Sequence, residues 1–312
     1  MDNERIVDWL LAGDVAIQYQ TRRDLLGEVN PALQARIATE GWGADYLAAR
    51  QPNGHWGKSF YNPKWTNSHY TLLDLKNLAL PPDHPLPAAT IRLILREKVG
   101  ADGGVNPATS IEQADVCING MFLNYACYFG VEETPLHSIV DFLIGQQMVD
   151  GGFNCRLNRS GAVHSSLHTT ISVLEGIQEY ARNGYTYRLS ELHAMAAASR
   201  EFILIHQLFR SDHTGETIDP RFLMLSYPGR WRYDILRCLD YFQDAGIAYD
   251  PRMQSALDHL LGKRRKDGTW PVQARHAGLT HFEMEKTGGP SRWNTLRALR
   301  VFRHFAPQTT TH

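Results

Sequence analysis

Two short clusters each gather several reactive side chains. Arg230-Trp231-Arg232-Tyr233-Asp234 sets two guanidiniums, a phenol and a carboxylate within five residues. Such a group can clamp an anion or form an ion-paired helix start. The run His281-Phe282-Glu283-Met284-Glu285 leads into Gly288-Gly289-Pro290 and reads as a shaped polar loop. Within it Glu283, Glu285 or His281 suits general acid–base work, and a solvated surface loop is the alternative. Glu283, Tyr233 and Asp234 are the candidate catalytic groups. Trp65, His69, Tyr70, Arg230, Trp231 and Trp293 are the candidate substrate-binding groups, because aromatic faces line pockets for apolar or cationic ligands. Each of these aromatics also suits a packed core. The cysteines, Cys117, Cys127, Cys155 and Cys238, form no C-x-x-C pair.

These residues need elements to bring them together, and a repeat supplies them. A glycine turn followed by an aromatic or apolar residue recurs at Gly54 with Trp56, Gly103 with Val105, Gly151 with Phe153 and Gly268 with Trp270. Gly54 to Gly103 is 49 residues, Gly103 to Gly151 is 48, and Gly151 to Gly268 is about two periods. A worn copy, His206 to Gly215, falls in the gap. After each turn comes a segment apolar around more than one face, which marks a buried helix. These segments begin near Trp65, Glu112, His164, Arg230 and Ser291, and Asp14 to Leu26 supplies a sixth. Half-polar helices fall between them, at Pro87 to Glu97, Pro135 to Gln147 and Arg252 to Gly262. The pattern predicts an all-α fold over 1–312 as a single domain: an α/α toroid of about six inner and six outer helices. An open HEAT-type solenoid is the alternative, though its repeat is shorter, about 40 residues. The starts of the inner helices, and with them the cavity mouth, are expected at one end.

The turns, such as Gln146 to Phe153 and Arg264 to Trp270, resemble the QW motifs of squalene–hopene cyclases and of protein prenyltransferase β subunits. The resemblance covers about Gln51 to Trp293 and implies the toroid fold. The cyclases protonate an alkene through Asp-x-Asp-Asp, which this chain lacks. The prenyltransferases bind zinc through Asp-x-Cys and a later His. Asp115-Val116-Cys117 and His168 match those positions, so the resemblance implies a Zn2+ site on Asp115, Cys117 and His168. Asp115 is also placed to cap its helix, and Cys155 and His164 are alternative ligands or neighbours. A three-ligand zinc leaves a fourth position for water or a substrate thiol. The stretch Pro107 to Ala114 has no Arg or Lys to hold a diphosphate.

The expected function is therefore a zinc-dependent transferase or hydrolase acting on a small apolar or isoprenoid-like molecule. A class II terpene cyclase-like enzyme with a non-standard acid, and a non-catalytic lipid- or protein-binding toroid, are the alternatives. The net charge of −1 carries no basic footprint for nucleic acid. No run approaches the ~20 apolar residues of a membrane span. The opening residues Met1 to Arg5 lack the parts of a signal peptide, so a cytoplasmic location is expected, with a protein partner left open.

Overall fold

The computed structural model describes residues 3–108, 112–155 and 161–305. The first two residues, and part of the stretch Pro107 to Ala114 that lacks Arg and Lys, lie outside them. The described residues form thirteen α-helices and a single pair of two-residue strands. The helices are α1 (Asn3–Leu11), α2 (Val15–Thr21), α3 (Pro31–Arg36), α4 (Gly41–Ala48), α5 (Ser68–Asn77), α6 (Pro85–Lys98), α7 (Val116–Tyr128), α8 (His137–Ile144), α9 (Leu167–Arg182), α10 (Leu189–Ile205), α11 (Ile235–Asp244), α12 (Gln254–Gly262) and α13 (Arg292–Phe305). Among the described helices none is long and apolar enough to cross a membrane.

Local chemistry sets many helix starts. Asn67 Oδ1 accepts the Tyr70 N–H at 3.0 Å, Asp234 Oδ1 the Arg237 N–H at 2.8 Å, and Asp14 Oδ1 the Ala16 N–H at 2.8 Å. Each satisfies a donor that the first turn leaves unpaired. Proline opens α3 and α6, where its missing N–H costs nothing. Asp115 precedes α7 but its side chain makes no capping bond, unlike the expectation for it.

The glycine turns are superimposable in their chemistry. Gly54, Gly103, Gly151 and Gly268 have φ of 85°, 85°, 90° and 86°, a region where a Cβ is strained. In each copy the glycine N–H donates three residues back, to Gln51, Gly100, Met148 or Arg265, whose own N–H donates to the residue after the glycine. The preceding Asn53, Asp102, Asp150 or Asp267 accepts the N–H two residues on, at 3.0, 3.1, 3.4 and 3.0 Å, as Asx turns do.

A second feature joins each turn to the buried helix that follows. The N–H of Trp56, Val105, Phe153 and Trp270 donates to Ser68 Oγ, Asn119 Oδ1, Thr170 Oγ1 and Thr295 Oγ1, at 3.0, 2.7, 3.0 and 2.9 Å. The Trp56 and Trp270 indoles reach back to Tyr46 O and Leu260 O, at 2.6 and 2.7 Å. One residue thus ties the preceding helix, the turn and the next helix.

Helices α5, α7, α9, α11 and α13 are buried over most of their surface. Helix α5 packs on α7, α7 on α9, α11 on α13 and α13 on α2. Arg237 of α11 reaches Glu175 of α9 with two bonds, 2.8 and 2.6 Å, and Gln20 of α2 donates to Asn77 O of α5 at 2.9 Å. The α7–α9 contact is close because two glycines meet there. A Cβ on Gly120 would lie 2.7 Å from Ser172 O, and one on Gly176 2.4 Å from Gly120 O.

Candidate functional site

The starts of α5 and α13 are packed with buried, partnered side chains. Trp65 is buried, donates its indole N–H to Ala277 O at 2.7 Å, and meets the Tyr70 ring edge-on at 4.7 Å. The Tyr70 and Tyr61 hydroxyls are 2.9 Å apart. His69 is fully buried, with Nδ1 3.1 Å from the Tyr125 hydroxyl, and burial pushes it down to about 3. Trp293 is buried and stacked on Tyr227 at 4.8 Å.

The polar loop lies over this end. Paired strands Trp270–Pro271 and Pro290–Ser291 hold its two limbs. His281 Nε2 is 3.0 Å from Thr71 Oγ1. Glu285 accepts the Arg292 N–H at 2.6 Å and the Trp293 N–H at 3.4 Å, so it caps α13. Burial raises its carboxyl above the usual range despite those bonds. Glu283 is exposed and paired with Arg275 at 2.8 Å. Only about 30 Å³ of space is left between the loop and Tyr46, Trp65 and Arg230.

The cluster at Arg230 divides among different tasks. Arg230 Nη1 donates to Asp74 Oδ2, and its guanidinium lies over the Trp65 and Tyr70 rings at 5.6 and 5.9 Å. The Tyr233 hydroxyl donates to Leu208 O. Asp234 is buried as the cap of α11, and burial raises its carboxyl although Arg297 and Arg237 oppose the shift. Trp231 meets the His168 ring edge-on at 5.0 Å.

Among the described residues no three His, Cys, Asp or Glu side chains come together in a way that could hold a metal ion. The Tyr233 N–H donates to His168 Nδ1 at 2.7 Å. An imidazole whose Nδ1 accepts must carry its proton on Nε2 when neutral, which leaves no free lone pair for a metal. Phe222 and Trp231 flank the ring, and burial, then Arg237 and Arg232, pushes it down to about 4. This arrangement does not fit a three-ligand zinc centre. Cys117 has a different partner: its N–H donates to Cys155 Sγ at 3.0 Å. The Cys117 thiol is also hydrogen-bonded to Cys155, which lowers the Cys155 thiol and raises that of Cys117.

A second cavity lies elsewhere. About 200 Å³ is lined mainly by the later turns of the buried helices: Gln20 and Arg23, Lys76 and Asn77, Asn124 and Tyr128, Glu175 and Glu179, Arg237 and Asp240, and Arg297 and Arg300. Of the candidate binding residues Arg230 and Trp293 line it; Trp65, His69, Tyr70 and Trp231 are not in its wall. The wall carries seven cations, Arg23, Lys76, Arg182, Arg230, Arg237, Arg297 and Arg300, against four carboxylates, Glu175, Glu179, Asp240 and Asp244.

Ion pairs hold these groups in place. Arg297 Nε and Arg300 Nη2 share Asp240 Oδ2 at 3.0 and 3.2 Å, and Arg300 Nη1 reaches Asp24 at 2.8 Å. Lys76 and Arg182 share Glu179 at 3.0 and 3.1 Å. Burial alone would raise Asp24, but Arg23 and Arg300 overcome it and hold the carboxyl below its ordinary value. Three buried polar atoms of the wall have no partner among the described residues: Asn124 Oδ1, Trp293 Nε1 and Arg300 Nε. The sequence signal for this wall was present in charges spaced three and four apart on otherwise apolar helices: Glu175 and Glu179, Arg237 and Asp240, Arg297 and Arg300. No protein-family model matches the chain, and no curated protein sequence matches it.

Proposed function

We propose that the chain is a closed α/α toroid, similar in architecture to the terpene cyclases and prenyltransferases, that binds a small polar anion or zwitterion in its central cavity. The order of helix contacts supports closure: six buried helices each meet the next, and α13 meets α2. The repeating turn and its bond to the next helix support the resemblance.

The charged wall carries the ligand reading. An isoprenoid seated there would strip water from guanidiniums and carboxylates and return no hydrogen bonds, at several kcal/mol for each badly paired group. A ligand with a carboxylate or phosphate would meet the excess of cations with charge-assisted bonds. One donor on the same ligand would satisfy Asn124 Oδ1, and acceptors would satisfy Trp293 Nε1 and Arg300 Nε. A cavity of about 200 Å³ is below the roughly 300–1,000 Å³ of common ligand sites, so the ligand is small.

Thermal denaturation across a panel of small carboxylates, amino acids, phosphate esters and isoprenoid alcohols tests this. A ligand at about 100 times its Kd adds roughly 2.7 kcal/mol of stability. The reading expects stabilisation by a polar member, lost in Arg300→Gln. Stabilisation by the isoprenoid alcohols alone would overturn it.

A further inference from the structure

Cys117 and Cys155 are far apart in the chain but share one hydrogen-bonded cluster. Cys117 lies in the first turn of α7, a helix of 13 residues. Cys155 closes the third glycine turn. Its sulfur accepts the Cys117 N–H at 3.0 Å and the Thr169 hydroxyl at 3.5 Å. The Cys155 N–H in turn donates to Thr169 Oγ1 at 3.3 Å, which fixes the backbone that carries the sulfur. Both cysteines are half-buried, whereas Cys127 and Cys238 are fully buried. These two residues are therefore nearer to solvent than the other cysteines.

We propose that Cys117 and Cys155 form a reversible redox pair, in which a peroxide oxidises Cys155 and Cys117 resolves it to an intramolecular disulfide. The direction follows from the donors. Hydrogen bonds from a helix-start N–H and a hydroxyl favour electron density on the Cys155 sulfur. That sulfur attacks hydrogen peroxide, the O–O bond breaks, and one water leaves as Cys155 becomes a sulfenic acid. The Cys117 sulfur then attacks the sulfenic sulfur and displaces a second water. Two thiols and one peroxide give one disulfide and two waters, with the thiols oxidised and the peroxide reduced. A dithiol restores the pair by exchange. The link would staple the start of α7 to the loop before α9 and leave the charged cavity's wall unaltered in composition. The inference does not depend on what that cavity binds.

The experiment is peroxide titration of the full chain, followed by thiol blocking, intact mass and peptide mapping. The expected result is a loss of two hydrogens from the monomer, a peptide linking Cys117 to Cys155, and full reversal by dithiothreitol. Cys117→Ser should stop at a Cys155 sulfenic acid that dimedone captures, and Cys155→Ser should remove the link. Both thiols remaining free at peroxide levels that oxidise free cysteine would overturn the proposal. A link to Cys127 or Cys238, or only between molecules, would overturn it equally.

Discussion

Arg230 and Asp74 meet in an ion pair whose side chains are 5% and 3% exposed, joining the loop before α11 to the middle of α5. The Tyr46 hydroxyl donates to the same Asp74 oxygen at 2.8 Å. Burial raises the Asp74 carboxyl, and Arg230 and Tyr46 oppose that shift. Replacing one partner leaves a buried charge alone, which costs about 3–5 kcal/mol, whereas replacing both with apolar groups can be neutral. Arg230→Met should therefore lower the unfolding free energy by about that amount in urea titration. Arg230→Met with Asp74→Leu should recover much of it. Equal losses in the single and double variants would contradict the pairing.

The bond from each turn to its helix gives a second expectation. Thr170→Val keeps the shape of the side chain but removes the acceptor for the Phe153 N–H. A buried donor left unpaired costs about 1–3 kcal/mol. The variant should unfold at lower denaturant, with the same expected for Thr295→Val at Trp270. A change within about 0.5 kcal/mol, as for ordinary surface substitutions, would count against this role.

Helical glycine normally costs about 1 kcal/mol relative to alanine, so glycine to alanine should stabilise where there is room. At Gly262 nothing lies near the added Cβ, and Gly262→Ala should be neutral or slightly stabilising. At Gly120 the added Cβ would meet backbone on α9 at 2.7 Å, and Gly120→Ala should destabilise by about 1–3 kcal/mol. Thermal melts of the two variants check the opposite signs.

One buried histidine and three half-buried ones set a pH dependence. Burial pushes His69 down to about 3 and His168, His276 and His281 down to about 4, with nearby arginines adding to the last three. The unfolded chain takes up protons at histidines near pH 6.5, while the folded chain refuses them. Stability should be fully present above about 6.5 and fall steadily as pH drops towards 4. Carboxylates held low, such as Asp24 and Asp219, lose their contribution only below about 4. Tm between pH 7.5 and 4.5 should decline, with a shallower slope in His69→Gln. A flat profile over that window would refute the assignment.

Metal content follows from the hydrogen bond at His168. Because Tyr233 N–H occupies Nδ1, protein purified without added zinc should carry well under one zinc per chain by elemental analysis. Cys117→Ser should leave that value unchanged. One zinc per chain, lost in Cys117→Ser and His168→Ala together, would restore the ligand set implied by the resemblance.

The sequence by itself determined the turns and the alternation of buried and half-exposed helices. Both are local. A glycine at φ near 85°, an Asx residue before it and an aromatic or apolar residue after it lie within four residues, and helix burial is written in periodicity. The helix starts were also legible, although Asp115 makes no cap where one was expected. What only the tertiary structure decided is which side chains meet. Cys117 finds Cys155, and His168 turns its Nδ1 to the Tyr233 N–H, because helix rotation and loop path set the direction of each side chain. The spacing of the wall's charges was legible, but their pairing was hidden for the same reason. Arg300 pairs with Asp24, 276 residues away, and Arg237 with Glu175, 62 residues away. A charge on a helix reads as a solvated one until its partner is known. Burial supplies the reason such partners exist at all, since an unpaired charge inside costs too much to keep.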